Sequence, residues 1–259
     1  LYDLGILFEC LGFYAVPLSL TGCLVDVAQT LQKFSKNDNH QSIVSSITKG
    51  EIYTSAILEP LNHDPENPTT TAVFDGDKVI INGSKYLSEI SSLAKGILIS
   101  ASSNKGVILV LVKTDNVKLT QLTSTANSPL FKVELDNVSI DQSDIVHQEG
   151  RGLETLRYLL QINMVMRSYM ALGVTNKMTS LIASYTSERE QFGRVIGTFQ
   201  AVSHRAADCF IELECLRLVN QQASTNLNIN LDCENDALVS KIWAGNACHK
   251  ISYSAQHLH

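Results

Sequence analysis

The stretch that decides the fold is residues 189–208, which read REQFGRVIGTFQAVSHRAAD. It is a short turn with two glycines between two long segments that carry apolar residues at helical spacing. Glycine lets the backbone turn without the steric penalty of a Cβ atom. The Arg189 guanidinium can clamp a pyrophosphate with paired N–H donors. We expect Phe192 and Phe199 to anchor the turn in an apolar seam.

The pattern around this turn extends beyond what an ordinary helix–helix connection with a solvated arginine requires. The run resembles the RxQFGxxIxxFQ signature of the acyl-CoA dehydrogenase family, flavoproteins that remove two hydrogens from an acyl-CoA thioester. The resemblance implies that the turn binds the adenosine and pyrophosphate part of an FAD held mainly by a neighbouring subunit, and therefore implies an oligomer. The cofactor-binding residues implied here are Arg189, Gln191, Phe192, Phe199 and Gln200.

Length and composition limit the class of protein. The chain has 259 residues, 44% of them hydrophobic, which is enough to bury a large core. A formal charge of -6 with no lysine- or arginine-rich run argues against a nucleic-acid partner. The longest apolar runs, such as residues 5–20, are interrupted by Glu9 and Pro17 and fall short of a membrane span. Six dispersed cysteines without CxxC spacing favour free thiols in a reducing compartment, so we expect a cytoplasmic protein.

The hydrophobic period changes twice along the chain and predicts an α+β fold with three domains. Residues 1–50 show helical spacing and form an N-terminal helical domain of three helices. Residues 51–148 alternate with period two and form a central β-barrel or sandwich, with a tight hairpin at Asp75-Gly76. Residues 149–259 return to helical spacing and form a C-terminal antiparallel helix bundle.

The predicted elements can be placed within these domains. The strands are predicted at residues 52–58, 71–74, 78–81, 96–100, 107–112 and 131–135. The long helices are predicted at residues 153–188, 198–226 and 231–259. This succession is the domain order of the acyl-CoA dehydrogenases, so the resemblance implies the specific fold. Because the helical pattern is already under way at Leu1, and still continues at His259, we expect both terminal domains to be incomplete.

Two segments of the β-domain resemble flavin-contacting motifs of the family, each with departures. Leu58-Glu59-Pro60 lies at the (T/S)EP motif, where Leu58 replaces a hydroxyl residue; an ordinary strand ending at a proline-bounded loop is an equal alternative. Residues 82–89, NGSKYLSE, resemble NGxKxWIT. Leu87 then takes the aromatic position against the flavin ring, and Glu89 takes the threonine position that donates to flavin N5. A carboxylate there would disfavour negative charge on the reduced ring. The resemblance therefore implies an abnormal cofactor site at Leu58, Leu87 and Glu89.

No residue is identified as the catalytic base. Some family members carry a glutamate early in the helix after Gly152, where this chain has Asn163, an amide that cannot abstract a proton. More often the glutamate follows a GG turn, which would begin just beyond His259. His257 and His259 are two residues apart on a helix and do not face each other, so we expect no metal site.

The resemblance implies an acyl-CoA dehydrogenase-like subunit that carries out α,β-dehydrogenation of an acyl-CoA thioester with FAD, in fatty acid and lipid metabolism. It also implies electron-transferring flavoprotein as electron acceptor and a homo- or hetero-oligomer, typically a tetramer. The last three residues, His257-Leu258-His259, are similar to those of a divergent bacterial branch of the family that acts on bulky acyl-CoAs, including steroid side chains. The alternatives are a non-catalytic partner subunit and an oxygen-using flavin monooxygenase of the same fold. We expect little dehydrogenase activity from this chain alone.

Overall fold

A computed structural model describes residues 1–125, 128–147, 149–231 and 233–259. Contacts divide the chain into two compact units. We call Leu1–Leu18 with Gln161–His259 the helical unit, and Ser19–Leu160 the β unit. The three domains predicted with boundaries near residues 50 and 148 were defined by the hydrophobic period of the sequence. These two units are defined by contacts, so the predicted boundaries stay a prediction.

Helices flank a central run of strands, which confirms the predicted α+β fold. In chain order the helices are α1 (Tyr2–Phe13), α2 (Ala28–Phe34, entered through a π-helical turn at Thr21–Val27), α3 (Asp38–Ile47), α4 (Gly152–Glu188), α5 (Gln200–Asn228) and α6 (Glu234–Leu258). The strands are β1 (Tyr53–Ala56), β2 (Thr71–Asp75), β3 (Lys78–Glu89), β4 (Gly96–Ser103), β5 (Gly106–Lys113), β6 (Lys118–Leu122), β7 (Leu130–Asp141), β8 (Glu190–Gln191) and β9 (Arg194–Val195). Short 3-10 turns lie at Ser91–Leu93, Thr114–Asn116, Gln142–Asp144 and Ile196–Thr198.

All six predicted strands and all three predicted long helices are present. The prediction missed β6 and the second halves of β3 and β7. Among the described residues, none of the helices combines the length and the apolar character needed to cross a membrane.

The β unit is built on one curled, mixed sheet of seven strands in its described part. The strand order is β1-β4-β2-β3-β7-β6, and β5 pairs with β4. β1 runs parallel to β4 from Tyr53 opposite Gly96 to Ala56 opposite Ile99. β2 meets β4 in parallel further on, at Thr71 opposite Ser102. Two strands therefore follow one another along the same edge of β4, and this succession brings the end of β1 next to β3.

Buried aliphatic side chains at alternate strand positions fill the core of this sheet. They include Val79 and Ile81 on β3, Ile97 and Ile99 on β4, Val110 and Val112 on β5, and Val133 and Leu135 on β7. This inward phase continues along β3 to Lys85, which is also fully buried. A charged residue at a core position needs compensating partners, because burying an isolated charge is strongly unfavourable.

Close backbone contact joins α1 to the part of α4 that lies in the helical unit. A Cβ atom on Gly12 would lie 2.0 Å from the Met170 carbonyl oxygen. A Cβ atom on Gly173 would lie 1.9 Å from the Glu9 carbonyl oxygen. Only glycine permits an approach this close, so these residues set the helix–helix distance.

Candidate functional site

The turn between α4 and α5, in the helical unit, is a short β-hairpin with a two-residue loop. Gln191 pairs with Arg194 across β8 and β9. The two turn residues, Phe192 and Gly193, have φ angles of 55° and 77°. Positive φ at both positions is the geometry of a type I′ turn, which favours tight hairpins but normally excludes a bulky first residue. The predicted glycine-bearing turn is thus present, with unusual strain at Phe192.

The side chains of this hairpin point largely into solvent. Phe192 is 92% exposed and meets Phe199 edge to face, with ring centroids 6.3 Å apart. The Arg194 guanidinium lies 4.2 Å from the centroid of the half-buried Phe199 ring. The prediction that both rings anchor the turn in an apolar seam is therefore wrong for Phe192 within the described part of the chain, because its ring contacts Phe199 but is otherwise almost fully exposed.

The remaining predicted cofactor residues of the hairpin are also accessible. Arg189, Gln191 and Gln200 are exposed, and within the described part of the chain the Arg189 guanidinium has no hydrogen-bond or ion-pair partner. A Cβ atom on Gly197 would lie 2.8 Å from the Thr186 carbonyl oxygen, so this glycine lets the turn run close to the end of α4. The structure thus gathers Arg189, Gln191, Phe192, Phe199 and Gln200 on one exposed turn.

In the β unit, the structure brings together the other three predicted residues, Leu58, Leu87 and Glu89. Leu58 follows β1, and its carbonyl oxygen accepts a hydrogen bond of 2.8 Å from the Tyr86 N–H on β3. The Leu58 and Leu87 side chains are 46% and 45% exposed. Glu89 is half-buried, and its carbonyl oxygen accepts a 2.8 Å hydrogen bond from Thr54 Oγ1. We call Leu58 and Leu87 the apolar patch of the β unit.

The backbone that carries this patch is strained. Leu87 has φ of 57° and Ile90 has φ of 44°, in the left-handed region that branched side chains disfavour. A register shift between Lys85 and Ser88 marks a bulge where β3 pairs with β7. Strain of this kind persists only where surrounding contacts fix the backbone, and it concentrates at functional sites.

A buried ion pair is formed by two residues close in sequence to the patch, Glu59 next to Leu58 and Lys85 two residues before Leu87. Lys85 Nζ lies 2.7 Å from Glu59 Oε1, and the two side chains are 0% and 2% exposed. Lys85 also donates to Ser100 Oγ at 3.1 Å. Burial raises the pKa of the Glu59 carboxyl, but hydrogen bonds from Lys85, Thr70 and Asn62 outweigh burial and leave the pKa well below its ordinary value. Glu59 is therefore a paired carboxylate and unsuited to accept a substrate proton.

Glu59 was identified from the sequence, whereas Lys85 and Ser100 were not. A signal for Lys85 was present, since it shares the inward phase of Val79 and Ile81 on β3. Its pairing with a residue 26 positions away depends on the sheet register, which the hydrophobic pattern alone does not specify.

The positions considered for a base or a metal have other contacts. Asn163 Oδ1 accepts a 3.0 Å hydrogen bond from Arg167 Nε. His259 stacks on Tyr185 with ring centroids 4.5 Å apart, and the His257 ring lies edge to face with Tyr253. In the described ranges, no three His, Cys, Asp or Glu side chains gather in a metal-ligating arrangement. The catalytic base stays unidentified.

Comparison with known proteins identifies the family of the chain. A family model described as acyl-CoA dehydrogenase, C-terminal domain, matches residues 150–259. A solved structure of a variant of the Tcur3481-Tcur3483 steroid ACAD is 30% identical, with a TM-score of 0.89; the match covers 100% of this chain and 70% of that chain. This chain belongs to the acyl-CoA dehydrogenase family. The resemblance seen at residues 189–208 is therefore confirmed.

Two further relatives of this acyl-CoA dehydrogenase family member come from Mycobacterium tuberculosis. Acyl-CoA dehydrogenase FadE27 of strain ATCC 25618 / H37Rv is 26% identical, over 96% of this chain and 68% of that protein. The crystal structure of the ChsE4-ChsE5 complex is 25% identical with a TM-score of 0.89, and the match covers 99% of this chain and 69% of that chain. The roles of the individual site residues stay predictions.

Proposed function

We propose that this chain is an acyl-CoA dehydrogenase-like subunit that takes part in α,β-dehydrogenation of an acyl-CoA thioester with FAD. The observation that carries the proposal is the exposed hairpin at residues 189–200 in a chain of this family. The Arg189 guanidinium of this hairpin has no partner among the described residues. The Phe192 ring on the same hairpin is 92% exposed. A cation with paired N–H donors suits a pyrophosphate, and an exposed aromatic ring suits a nucleotide base or a partner surface.

The residues present in each unit suit FAD. In the helical unit, Arg189 would hold the pyrophosphate, while Gln191 and Gln200 would supply amide hydrogen bonds. In the β unit, Leu58 and Leu87 would lie against the isoalloxazine ring, since half-exposed apolar side chains on a fixed backbone favour contact with a flat apolar ligand. When bound, FAD supplies the acceptor for the hydride that leaves the β-carbon of the acyl chain.

We infer that the working form is an oligomer in the cytoplasm, with a tetramer as the expected state. The names Tcur3481-Tcur3483 and ChsE4-ChsE5 each join two components, and the first is called a steroid ACAD. By analogy with these relatives, this chain would join a related subunit and act on a bulky acyl-CoA. Electron-transferring flavoprotein would then take up the electrons.

A second candidate is a non-catalytic partner subunit that lends its hairpin to the FAD site of a catalytic subunit. The observation that favours it is that neither Glu59 nor Asn163 is suited to accept a substrate proton. Glu59 is held in a buried ion pair, and Asn163 is an amide bound by Arg167. Glu89 would also place a carboxylate where the family has a neutral donor to flavin N5.

Substitution of Arg189 tests the proposed hairpin role. Losing a bidentate, charge-assisted contact costs about 1.5–3 kcal/mol, or roughly ten- to a hundredfold in affinity. We expect Arg189→Ala to weaken FAD retention by this factor without unfolding the helices, because the side chain is exposed. FAD content and affinity are measured on the purified oligomer by absorbance and fluorescence titration, with circular dichroism as the measure of folding.

Arg151→Ala is the matched control, because Arg151 is an exposed arginine of the β unit, where it pairs with Glu154 and lies over the Phe34 ring. Unchanged FAD affinity in the Arg189→Ala oligomer would refute the hairpin role. Dye reduction with acyl-CoA then separates the two candidates. Turnover by the chain on its own supports a catalytic subunit, whereas turnover only with a related subunit supports the partner role.

A further inference from the structure

The buried pair of Lys85 and Glu59 uses nearly all of its hydrogen-bonding capacity. Lys85 Nζ donates to Glu59 Oε1 at 2.7 Å, to Ser100 Oγ at 3.1 Å and to the Ile57 carbonyl oxygen at 3.4 Å. An ammonium group has three donors, and all three are engaged. The lysine thereby ties β3 to β4 and to the residues that follow β1.

The carboxylate of Glu59 binds the opposite side of the same junction. Its Oε1 accepts from the Thr70 N–H at 2.8 Å, and its Oε2 accepts from the Thr69 N–H at 2.6 Å and from Thr69 Oγ1 at 2.7 Å. Asn62 Nδ2 donates to Oε2 at 3.0 Å. The loop that follows Glu59 and precedes β2 is therefore closed onto this one side chain.

Stability alone does not account for a buried ion pair. Removing two charges from water is costly, and well-packed apolar residues of similar volume are often equally stable or more so. What a fully hydrogen-bonded pair adds is a fixed geometry, because each partner is held from several directions at once.

The groups nearest in sequence to the pair are the two members of the apolar patch. Leu58 directly precedes Glu59, and Leu87 lies two residues beyond Lys85. The Tyr86 N–H donates to the Leu58 carbonyl oxygen, so the two segments are also joined directly. Neither leucine belongs to the core, since both side chains are nearly half exposed.

The same segment holds the strained backbone of the β unit. The left-handed residues Leu87 and Ile90 enclose Ser88 and Glu89. Ser88 Oγ donates to the Ser55 carbonyl oxygen at 2.7 Å, which fastens the far side of the bulge. The near side is fastened by Lys85. A bulky residue at positive φ keeps that conformation only while both sides are held.

We propose that Lys85 and Glu59 are positioning residues, which hold the backbone of Leu58 and the strained backbone of Leu87 in the arrangement that receives a planar aromatic ring. This inference rests on the proposed function, and the ring is then the isoalloxazine of FAD. Neither charged side chain would touch the ring, because both are almost completely buried. They act through the backbone of their neighbours.

The test replaces both charges by apolar residues of similar size, in the variant Lys85→Met with Glu59→Leu. Since no unpaired charge is left behind, we expect the variant to fold, with a thermal midpoint below that of the wild type because the Thr69 and Thr70 N–H groups lose their acceptor. We expect its affinity for FAD to fall at least tenfold, and the visible spectrum of any bound FAD to shift towards that of free FAD. Both are measured on the purified oligomer.

The control is the pair Lys78 and Asp141, which joins β3 to β7 at 2.6 Å but is more than half exposed at each side chain. Lys78→Met with Asp141→Leu should leave the FAD affinity and spectrum unchanged. Should the core variant not fold, Ser100→Ala carries the test, since it removes only one acceptor of Lys85. We then expect at least a threefold loss of FAD affinity at an unchanged thermal midpoint.

The outcomes separate this inference from the proposed function. If the wild-type oligomer retains no FAD, the proposed function fails. If the wild type binds FAD and the folded core variant binds it with the same affinity and spectrum, the positioning role is overturned and the function stands. If the Ser100→Ala variant is used, an unchanged affinity for FAD also overturns the positioning role.

Discussion

At the scale of single residues, the charge state of Glu59 gives the β unit a dependence on pH. Hydrogen bonds from Lys85, Thr70 and Asn62 outweigh the effect of burial and lower the pKa of this carboxyl. A carboxyl whose pKa is lowered by folding stabilises the fold above its unfolded-state pKa, about 4.3, and loses that contribution as the pH falls. Burial also lowers the pKa of Lys85, and Glu59 opposes that change.

Glu59→Gln should therefore destabilise the chain in a pH-dependent way. We expect a loss of about 3 kcal/mol in the free energy of unfolding at pH 7, because Lys85 is left buried without its counter-charge. The difference from wild type should shrink as the pH falls below about 4.3, because there the carboxyl of the unfolded wild-type chain takes up a proton while the folded-state carboxyl, with its lowered pKa, is still charged. Urea unfolding at several pH values measures both quantities, and Glu190→Gln on the exposed hairpin serves as the control. A difference that stays constant from pH 7 to acid would contradict the assigned role of the charge.

At the scale of helices and strands, the hydrophobic period predicted the type and order of the main elements but not every strand or every bend. β6 was missed because Lys118–Leu122 has a mostly exposed pattern and pairs with β7 alone. The bulge before Ser88 and the left-handed Leu87 were missed because a bulky side chain gives no local signal for positive φ. The hairpin at residues 190–195 was predicted as a glycine-bearing turn, since Gly193 does give such a signal. Local propensity was therefore informative where the local chain decides the conformation, and uninformative where tertiary hydrogen bonds impose it.

Helix packing offers a matched pair of glycine substitutions. In Gly173→Ala the new methyl group would lie 1.9 Å from the Glu9 carbonyl oxygen and 2.6 Å from the Phe13 nitrogen, so α1 must move away from α4. We expect the free energy of unfolding to fall by about 1–3 kcal/mol, which is the usual cost of overpacking. In Gly245→Ala on α6, no neighbouring atom lies within 4 Å of the new Cβ, and we expect a gain of up to about 1 kcal/mol from helix propensity. Urea unfolding of the two variants compares them. Equal effects at the two positions would show that close contact between α1 and α4 does not control stability.

At the scale of the whole molecule, the helical unit leaves a set of large apolar side chains on α5 and α6 uncovered. These are Phe210, Ile211 and Leu218 on α5, and Leu238, Val239, Ile242 and Tyr253 on α6, each at least 42% exposed. Scattered single residues of this kind are ordinary on protein surfaces, but several on two adjacent helices favour a protein–protein contact. Because α5 begins at the exposed hairpin, subunit contact through these helices and FAD binding through Arg189 would belong to one assembly.

Ile242 tests this connection between assembly and cofactor. Its side chain is 59% exposed, so Ile242→Glu should leave the fold of a single chain intact while placing a charge in the proposed subunit contact. We expect a smaller particle in analytical ultracentrifugation and, under the proposed role of the hairpin in the FAD site of a neighbouring subunit, a parallel loss of FAD of at least tenfold. Val73→Glu is the matched control: Val73 is similarly exposed, at 61%, but lies on β2 in the β unit. An Ile242→Glu protein of wild-type size would place the subunit contact elsewhere. A dissociated protein that still retained FAD would instead show that one chain binds the cofactor unaided, and would refute the connection between subunit contact and FAD binding.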